Sequence, residues 1–312
     1  MVKLIETVYN FLWGDLLTAP LPGGGTLPLS LLVILLIPTG VYFTIRTKFL
    51  PIRLFKDMVG ALFEKKDEEQ SALSVIQTLI VSTATRVGMG NLVGVVAAIS
   101  AGGAGAVFWM WITALIGSAT SFVESTLAQL HKQEDPLYGG YRGGPAYYIH
   151  DWINAGRKGK ARKSLLAILF AISGLICWCG VSQVIGNSVS SSLKNAFHIS
   201  PLVSTTALVL LAAVIVLRKN ATVKVLDILV PIMSGIYVLI TLWLIVTHAY
   251  QLGDVFRRIF SEAFGLRQVA AGGFGAVLMN GVKRGLFSNE AGSGSAPCAA
   301  ATAETPHPAR VG

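Results

Sequence analysis

The sequence predicts an all-α polytopic membrane protein, and three observations lead there. Of its 312 residues, 53% are hydrophobic and only 13% charged, about half the charged share usual in soluble domains. The mean hydropathy is +0.63. Seven apolar runs are separated by polar loops, and most are long enough for a bilayer core of about 30 Å. Runs of that length must be helices, because lipid offers the backbone no outside hydrogen-bond partner and barrel strands are shorter. The net charge of +9 would suggest nucleic-acid binding in a soluble chain. Here the basic residues gather in loops between apolar runs, so a lipid bilayer is the expected partner and nucleic acid is not.

Residues 1–26 form an amphipathic segment ending in Leu-Pro-Gly-Gly-Gly, with Tyr9 and Trp13 as interface anchors. The transmembrane domain covers 27–303, with spans at about 27–45, 72–101, 106–131, 164–192, 202–217, 225–250 and 269–303. Residues 251–268 read as an amphipathic surface helix, and 304–312 as the start of a cytoplasmic loop at which the chain ends early. Loops 46–71, 132–163 and 218–224 carry 6, 7 and 3 basic residues, joined by Arg310; only Lys3, Lys194, Arg257, Arg258 and Arg267 fall on the opposite side. That asymmetry places the N-terminus outside and residue 312 in the cytoplasm. Cys177, Cys179 and Cys298 lack redox or zinc spacing and read as small apolar residues.

Two runs break the pattern. In the second, Thr83 to Gly94 brings Arg86, Asn91 and glycines 88, 90 and 94 to the centre of a 30-residue apolar stretch. Such a helix would be about 45 Å long, so the span is read as interrupted there. In the seventh, Lys283, Arg284, Asn289 and Glu290 lie among Gly281, Gly285, Gly292, Gly294 and Pro297. A charge at the bilayer centre costs roughly 2.5–3.5 kcal/mol, so these residues need partners or a wet cavity. The two runs cross in opposite directions, five spans apart. Paired interruptions of that kind are the pattern of an inverted-repeat secondary transporter. Free N–H groups at such breaks suit a carboxylate and unwound carbonyls suit a cation, so an amino acid and a sodium ion are the natural ligands. Asn91 is a candidate for the ligand or ion shell. Glu290 either compensates Lys283 or Arg284 or takes part in ion coupling, and Phe287 is a candidate cavity wall.

Gly88-Met-Gly-Asn-Leu-Val-Gly-Val, Gly102-Gly-Ala-Gly-Ala-Val-Phe-Trp-Met-Trp, Tyr141-Arg-Gly-Gly-Pro-Ala-Tyr-Tyr and Lys283-Arg-Gly-Leu-Phe-Ser-Asn-Glu-Ala-Gly-Ser-Gly-Ser-Ala-Pro occur in that order. Together they resemble the sodium:alanine (or glycine) symporter family over about residues 27–312. The resemblance implies a leucine-transporter-like inverted-repeat fold with one extra N-terminal helix. Only the first repeat and the first helix of the second would be present, so the sequence reads as C-terminally truncated. It also implies sodium-coupled symport of a small neutral amino acid, alanine or glycine, by alternating access in the plasma (cell inner) membrane. Alternatives are a non-functional fragment of such a transporter or a passive amino-acid channel.

By position, the implied substrate-binding residues are Thr85, Gly88, Gly90, Asn91, Gln183, Asn187, Phe287, Ser288, Asn289 and Gly292. The implied sodium ligands are Thr83, Asn91 and Glu290. No cofactor is expected; sodium is co-transported. The family commonly places a glutamine two residues before the asparagine matching Asn187, where this chain has Ile185. An enzyme would need a catalytic constellation in one cavity, and Glu124 and Glu290 are the only deep carboxylates, so none is expected.

Overall fold

The structure, a computed structural model, describes residues 2–21, 25–62, 89–137, 139–155, 163–217, 221–264 and 274–312. Helices dominate it. In order they are α1 (Val2–Leu12), α2 (Leu31–Arg46), α3 (Leu50–Arg53), α4 (Phe55–Leu62), α5 (Met89–Gly102), α6 (Gly105–Leu130) and α7 (Pro145–Asn154). They continue with α8 (Leu165–Phe197), α9 (Pro201–Val216), α10 (Ala221–Thr247), α11 (Leu252–Ala263), α12 (Phe274–Asn289) and α13 (Ser295–Ala301). The all-α expectation needs one correction. β1 (Leu17–Leu21) and β2 (Gly25–Leu29) form an antiparallel ladder with Leu17 opposite Leu29, and β3 (Gln133–Glu134) pairs with β4 (Tyr141–Arg142). Leu27 to Leu29, read from the sequence as the start of the first span, therefore belong to a strand. The helix begins only after Ser30, whose hydroxyl accepts from the Val33 N–H.

Among the described residues, three helices are long and apolar enough to cross a membrane: Gly105–Leu130, Leu165–Phe197 and Ile228–Thr247. Leu31–Arg46, Asn91–Gly102 and Pro201–Val216 are shorter apolar helices. α8 and α10 present long rows of exposed Leu, Ile, Val and Trp side chains, a surface that suits lipid rather than water.

The chain forms two compact units. The first comprises Met1–Phe55, Asn91–Ser121 and Ile236–Gly292. Its core is α12 laid against α2 and β2: Val33, Met279 and Leu286 are buried and packed by Leu27, Leu29, Leu36, Ile37, Leu278 and Val282. The predicted amphipathic segment after the sixth span is α11, and it docks over the start of α6. Glu262 Oε2 accepts from the Ala104 N–H at 2.7 Å. The Trp109 indole donates to the Ala263 carbonyl at 2.9 Å. Phe108 packs against Phe260 and Phe264. An acid at a helix N-terminus both satisfies an orphan N–H and meets the positive end of the dipole.

The second unit comprises Lys56–Gly90, Phe122–Gly235 and Ser293–Gly312. α8 ends at His198, in the left-handed region with φ 56, and Pro201 opens α9 at its first position. Ser190, buried on α8, donates to the Pro201 carbonyl and ties the helix pair together. At its other side the end of α6, the loop from Gln133 and α7 meet α13. His131 Nδ1 lies 2.8 Å from Asp151 Oδ2, joining α6 to α7.

Candidate functional site

α12 is the helix that leads into the interruption of the seventh apolar run. Its approach to α6 is set by glycines. A methyl group on Gly281 would lie 2.5 Å from the Ala106 carbonyl oxygen, and one on Gly285 would lie 2.8 Å from Thr113 Cβ. One turn further on comes Asn289, and here the roles reverse. A methyl on Gly117 of α6 would fall 2.3 Å from the Asn289 amide nitrogen. Positions 281, 285 and 289 thus step along positions 106, 113 and 117, four residues at a time on α12, so the two helices run side by side in the same direction. Small residues at this spacing are how helices pack closely in a membrane. Set among the charged residues of the interrupted seventh run, Gly281 and Gly285 could equally have served to unwind the chain. In the structure both lie inside a continuous helix, and their missing side chains serve packing.

Asn289 closes α12. Its Nδ2 donates to the Thr113 carbonyl at 3.2 Å and its Oδ1 accepts from the Ala291 N–H at 2.9 Å. The carboxamide, expected to face substrate, is engaged by the protein at both ends. Straight after it the chain leaves helical geometry. Glu290 takes φ 55, Gly292 φ 87 and Gly294 φ 89, and α13 starts at Ser295. The interruption is therefore 290–294, and it begins only after Lys283, Arg284 and Asn289, which helped to mark it in the sequence. Glutamate in the left-handed region costs about 1 kcal/mol or more, and strain of this kind gathers at functional sites. Ser293 and Ser295 hydroxyls lie 2.9 Å apart.

The other predicted residues fall as follows. Phe287 is 47% exposed, and Ser288 is half-buried beside it on the last turn of α12. Gly292 is exposed. Gly90 and Asn91 are helical, in α5, as is Gly94, so the helix is continuous from Met89 where the sequence suggested a break reaching Gly94. Thr83, Thr85, Arg86 and Gly88 lie outside the described residues. Gln183 and Asn187 stand one turn apart on one face of α8, both exposed. Lys283, half-buried in α12, donates to Asp15 Oδ1 at 2.8 Å and to the Trp13 carbonyl at 3.0 Å. The charge that seemed to demand an intramembrane partner is met by the N-terminal segment. Sequence reasoning missed Thr113, Gly117 and Asp15. The only trace of the first two is the four-residue spacing of small residues on both helices.

A family model describing sodium:alanine symporters matches residues 24–312. The chain belongs to the sodium:alanine symporter family. The family is one of transporters, not enzymes. The chain is 43% identical over 287 residues to the probable sodium/glutamine symporter GlnT of Bacillus subtilis, covering 91% of this chain and 58% of that protein. It is 44% identical over 280 residues to the amino-acid carrier protein AlsT of the same organism, covering 89% and 58%. To the sodium/alanine symporter AgcS of Methanococcus maripaludis it is 34% identical over 313 residues, covering 99% and 65%. The chain therefore spans roughly three-fifths of the length of these relatives. Its apolar helices and its family together make it a membrane protein.

Proposed function

We propose that the complete protein is a symporter that couples inward movement of a small neutral amino acid, alanine or glycine, to a sodium ion by alternating access. The observation that carries the reading is the interruption at 290–294 within a chain of this family. The last carbonyls of α12 have no partners within the helix and form the negative end of its dipole, which suits a cation. Beside them Glu290 supplies a carboxylate held in a strained backbone conformation. We assign Glu290 and Asn91 to the sodium ion, and Phe287, Ser288 and Gly292 to the amino acid. Asn289 serves that surface by fixing the end of α12 to α6. Thr83, Thr85, Gly88, Gly90, Gln183 and Asn187 keep the ligand roles that family resemblance gives them. A leucine-transporter-like inverted repeat in the plasma membrane is part of the same reading, supported by the interrupted seventh run.

The names of relatives divide between alanine and glutamine, and the departure at Ile185 bears on that choice. Proteoliposomes of the complete protein, given labelled alanine, glycine or glutamine with and without an inward sodium gradient, test the proposal. Concentrative uptake of alanine or glycine that needs the gradient is expected. Uptake indifferent to sodium, or never exceeding equilibrium, overturns it, and a preference for glutamine overturns the substrate assignment.

A further inference from the structure

The second unit holds a cation at the end of α13 for which symport as described has no use. The last carbonyls of any helix lack intrahelical partners. The end of α6 claims the carbonyl of Ala300, in the last turn of α13, and that of Ala303, two residues beyond the helix. Gln129, only 5% exposed, directs its Nε2 to both carbonyl oxygens, at 2.9 Å from that of Ala303. Lys132 Nζ donates to the same Ala303 carbonyl at 2.8 Å and to Gln129 Oε1 at 2.9 Å. It also lies 4.0 Å from the centroid of the Tyr141 ring. An ammonium has three donors, and here two meet oxygens while the charge faces an aromatic ring. Positive charge at a helix C-terminus opposes the negative end of the dipole. Burial lowers the pKa of Lys132, against a pull upward from Glu304.

The Tyr141–Tyr148 motif is drawn into the same contact. A methyl group on Gly143 would lie 2.8 Å from Ala301 Cβ, so the loop rests directly on α13. α13 has seven residues, far too few to be a stable helix by itself. It is about 10 Å long, and its orientation is whatever its contacts impose.

We infer that Lys132 is a positioning residue for the half-helix α13: seated by Gln129 and Tyr141, its ammonium fixes the C-terminal end of α13 and thereby the pose of Ser293 and Ser295 at the other end. The inference deepens the symport reading and rests on it.

Hydrogen exchange of the complete protein in nanodiscs, with amino-acid uptake by the same variants in proteoliposomes, tests it. In Lys132→Met the amides of residues 296 and 298–303 exchange about tenfold faster. KM for the amino acid rises severalfold while turnover changes less than about twofold, as when a binding pose is lost without the transport step. Lys132→Arg, which keeps charge and donors, restores at least half of each change. Tyr141→Leu, which leaves both hydrogen bonds in place, gives an intermediate shift and serves if Lys132→Met does not fold. Unchanged exchange overturns the inference. Faster exchange with an unmoved KM also overturns it, leaving a cap without influence on the site. If the unaltered protein shows no sodium-dependent uptake, the symport reading fails separately, and the exchange data still judge the clasp.

Discussion

At the scale of single residues, the interruption sets a strained carboxylate beside a fully engaged carboxamide, and substitutions separate the two. Glu290→Gly relieves the left-handed backbone and removes the carboxylate, whereas Glu290→Gln removes the charge alone. Both are expected to lose sodium dependence of uptake. Only the glycine variant gains stability, by about 1 kcal/mol, read as a higher midpoint of thermal unfolding in detergent. Gly117→Ala acts on Asn289 from the other side. The new methyl would lie 2.3 Å from its amide nitrogen, forcing it away from the Thr113 carbonyl. The cost is about 1–3 kcal/mol, and uptake falls while the protein still reaches the membrane. Tyr148, on α7 outside the spans, has its phenol pK raised by burial and by the charge of Glu124. In the folded protein it stays neutral where an unfolded chain would ionise, near pH 10. Its contribution to stability is therefore intact below that pH and declines as pH rises above it. Tyr148→Phe should leave the tyrosinate absorbance gained between about pH 9 and 11 unchanged and flatten the alkaline loss of stability.

At the scale of elements, α12 is a helix held by what it lacks. Gly281 and Gly285 let it meet α6 backbone to backbone, and the sequence could not distinguish this use from unwinding. Glycine permits both, and the choice lies with Ala106 and Thr113, some 170 positions earlier in the chain. The interruption itself was legible, because Gly292-x-Gly294 after a run of charged residues admits few helical readings. Its start was not, since Asn289 belongs to the helix by virtue of a bond to Thr113. The amphipathic helix α11 was legible from its own periodicity. Its function as a cap was not, because Glu262 becomes a capping acid only when α11 folds back on Ala104. Glu262→Ala is expected to cost about 1 kcal/mol. That lowers the thermal midpoint by about 2–4 °C, while Glu262→Gln, still an acceptor, loses less.

At the scale of the whole molecule, the helical membrane class follows from composition, and the family from four motifs in order. The small hairpin of β1 and β2 carries no such mark. Residues 17–26 read as the end of an interfacial segment and 27–29 as the start of a span, and only their pairing with each other makes a ladder. The unit-level consequence is a dependence of α12 on the N-terminal segment. Removing residues 1–29 from the complete protein strips Asp15 and the Trp13 carbonyl from Lys283 and uncovers Leu278 and Val282. Sodium-driven uptake should fall at least tenfold. Asp15→Asn alone weakens the protein by about 1–2 kcal/mol, and adding Lys283→Met recovers part of that loss by removing the charge left behind. Thermal midpoints of the two single variants and the double variant measure the coupling.

The bond between Lys283 and Asp15 joins residues 268 positions apart, and this has a consequence for biogenesis. The chain is made from its N-terminus, so Asp15 is synthesised long before the lysine that it neutralises. When α12 emerges, the Lys283 ammonium lacks its carboxylate partner unless the early segment is still undocked and within reach. The segment holding Trp13 and Asp15 must then stay free to dock until Lys283 has been made. Completion of the fold is a closing stitch between the oldest part of the nascent chain and one of the newest.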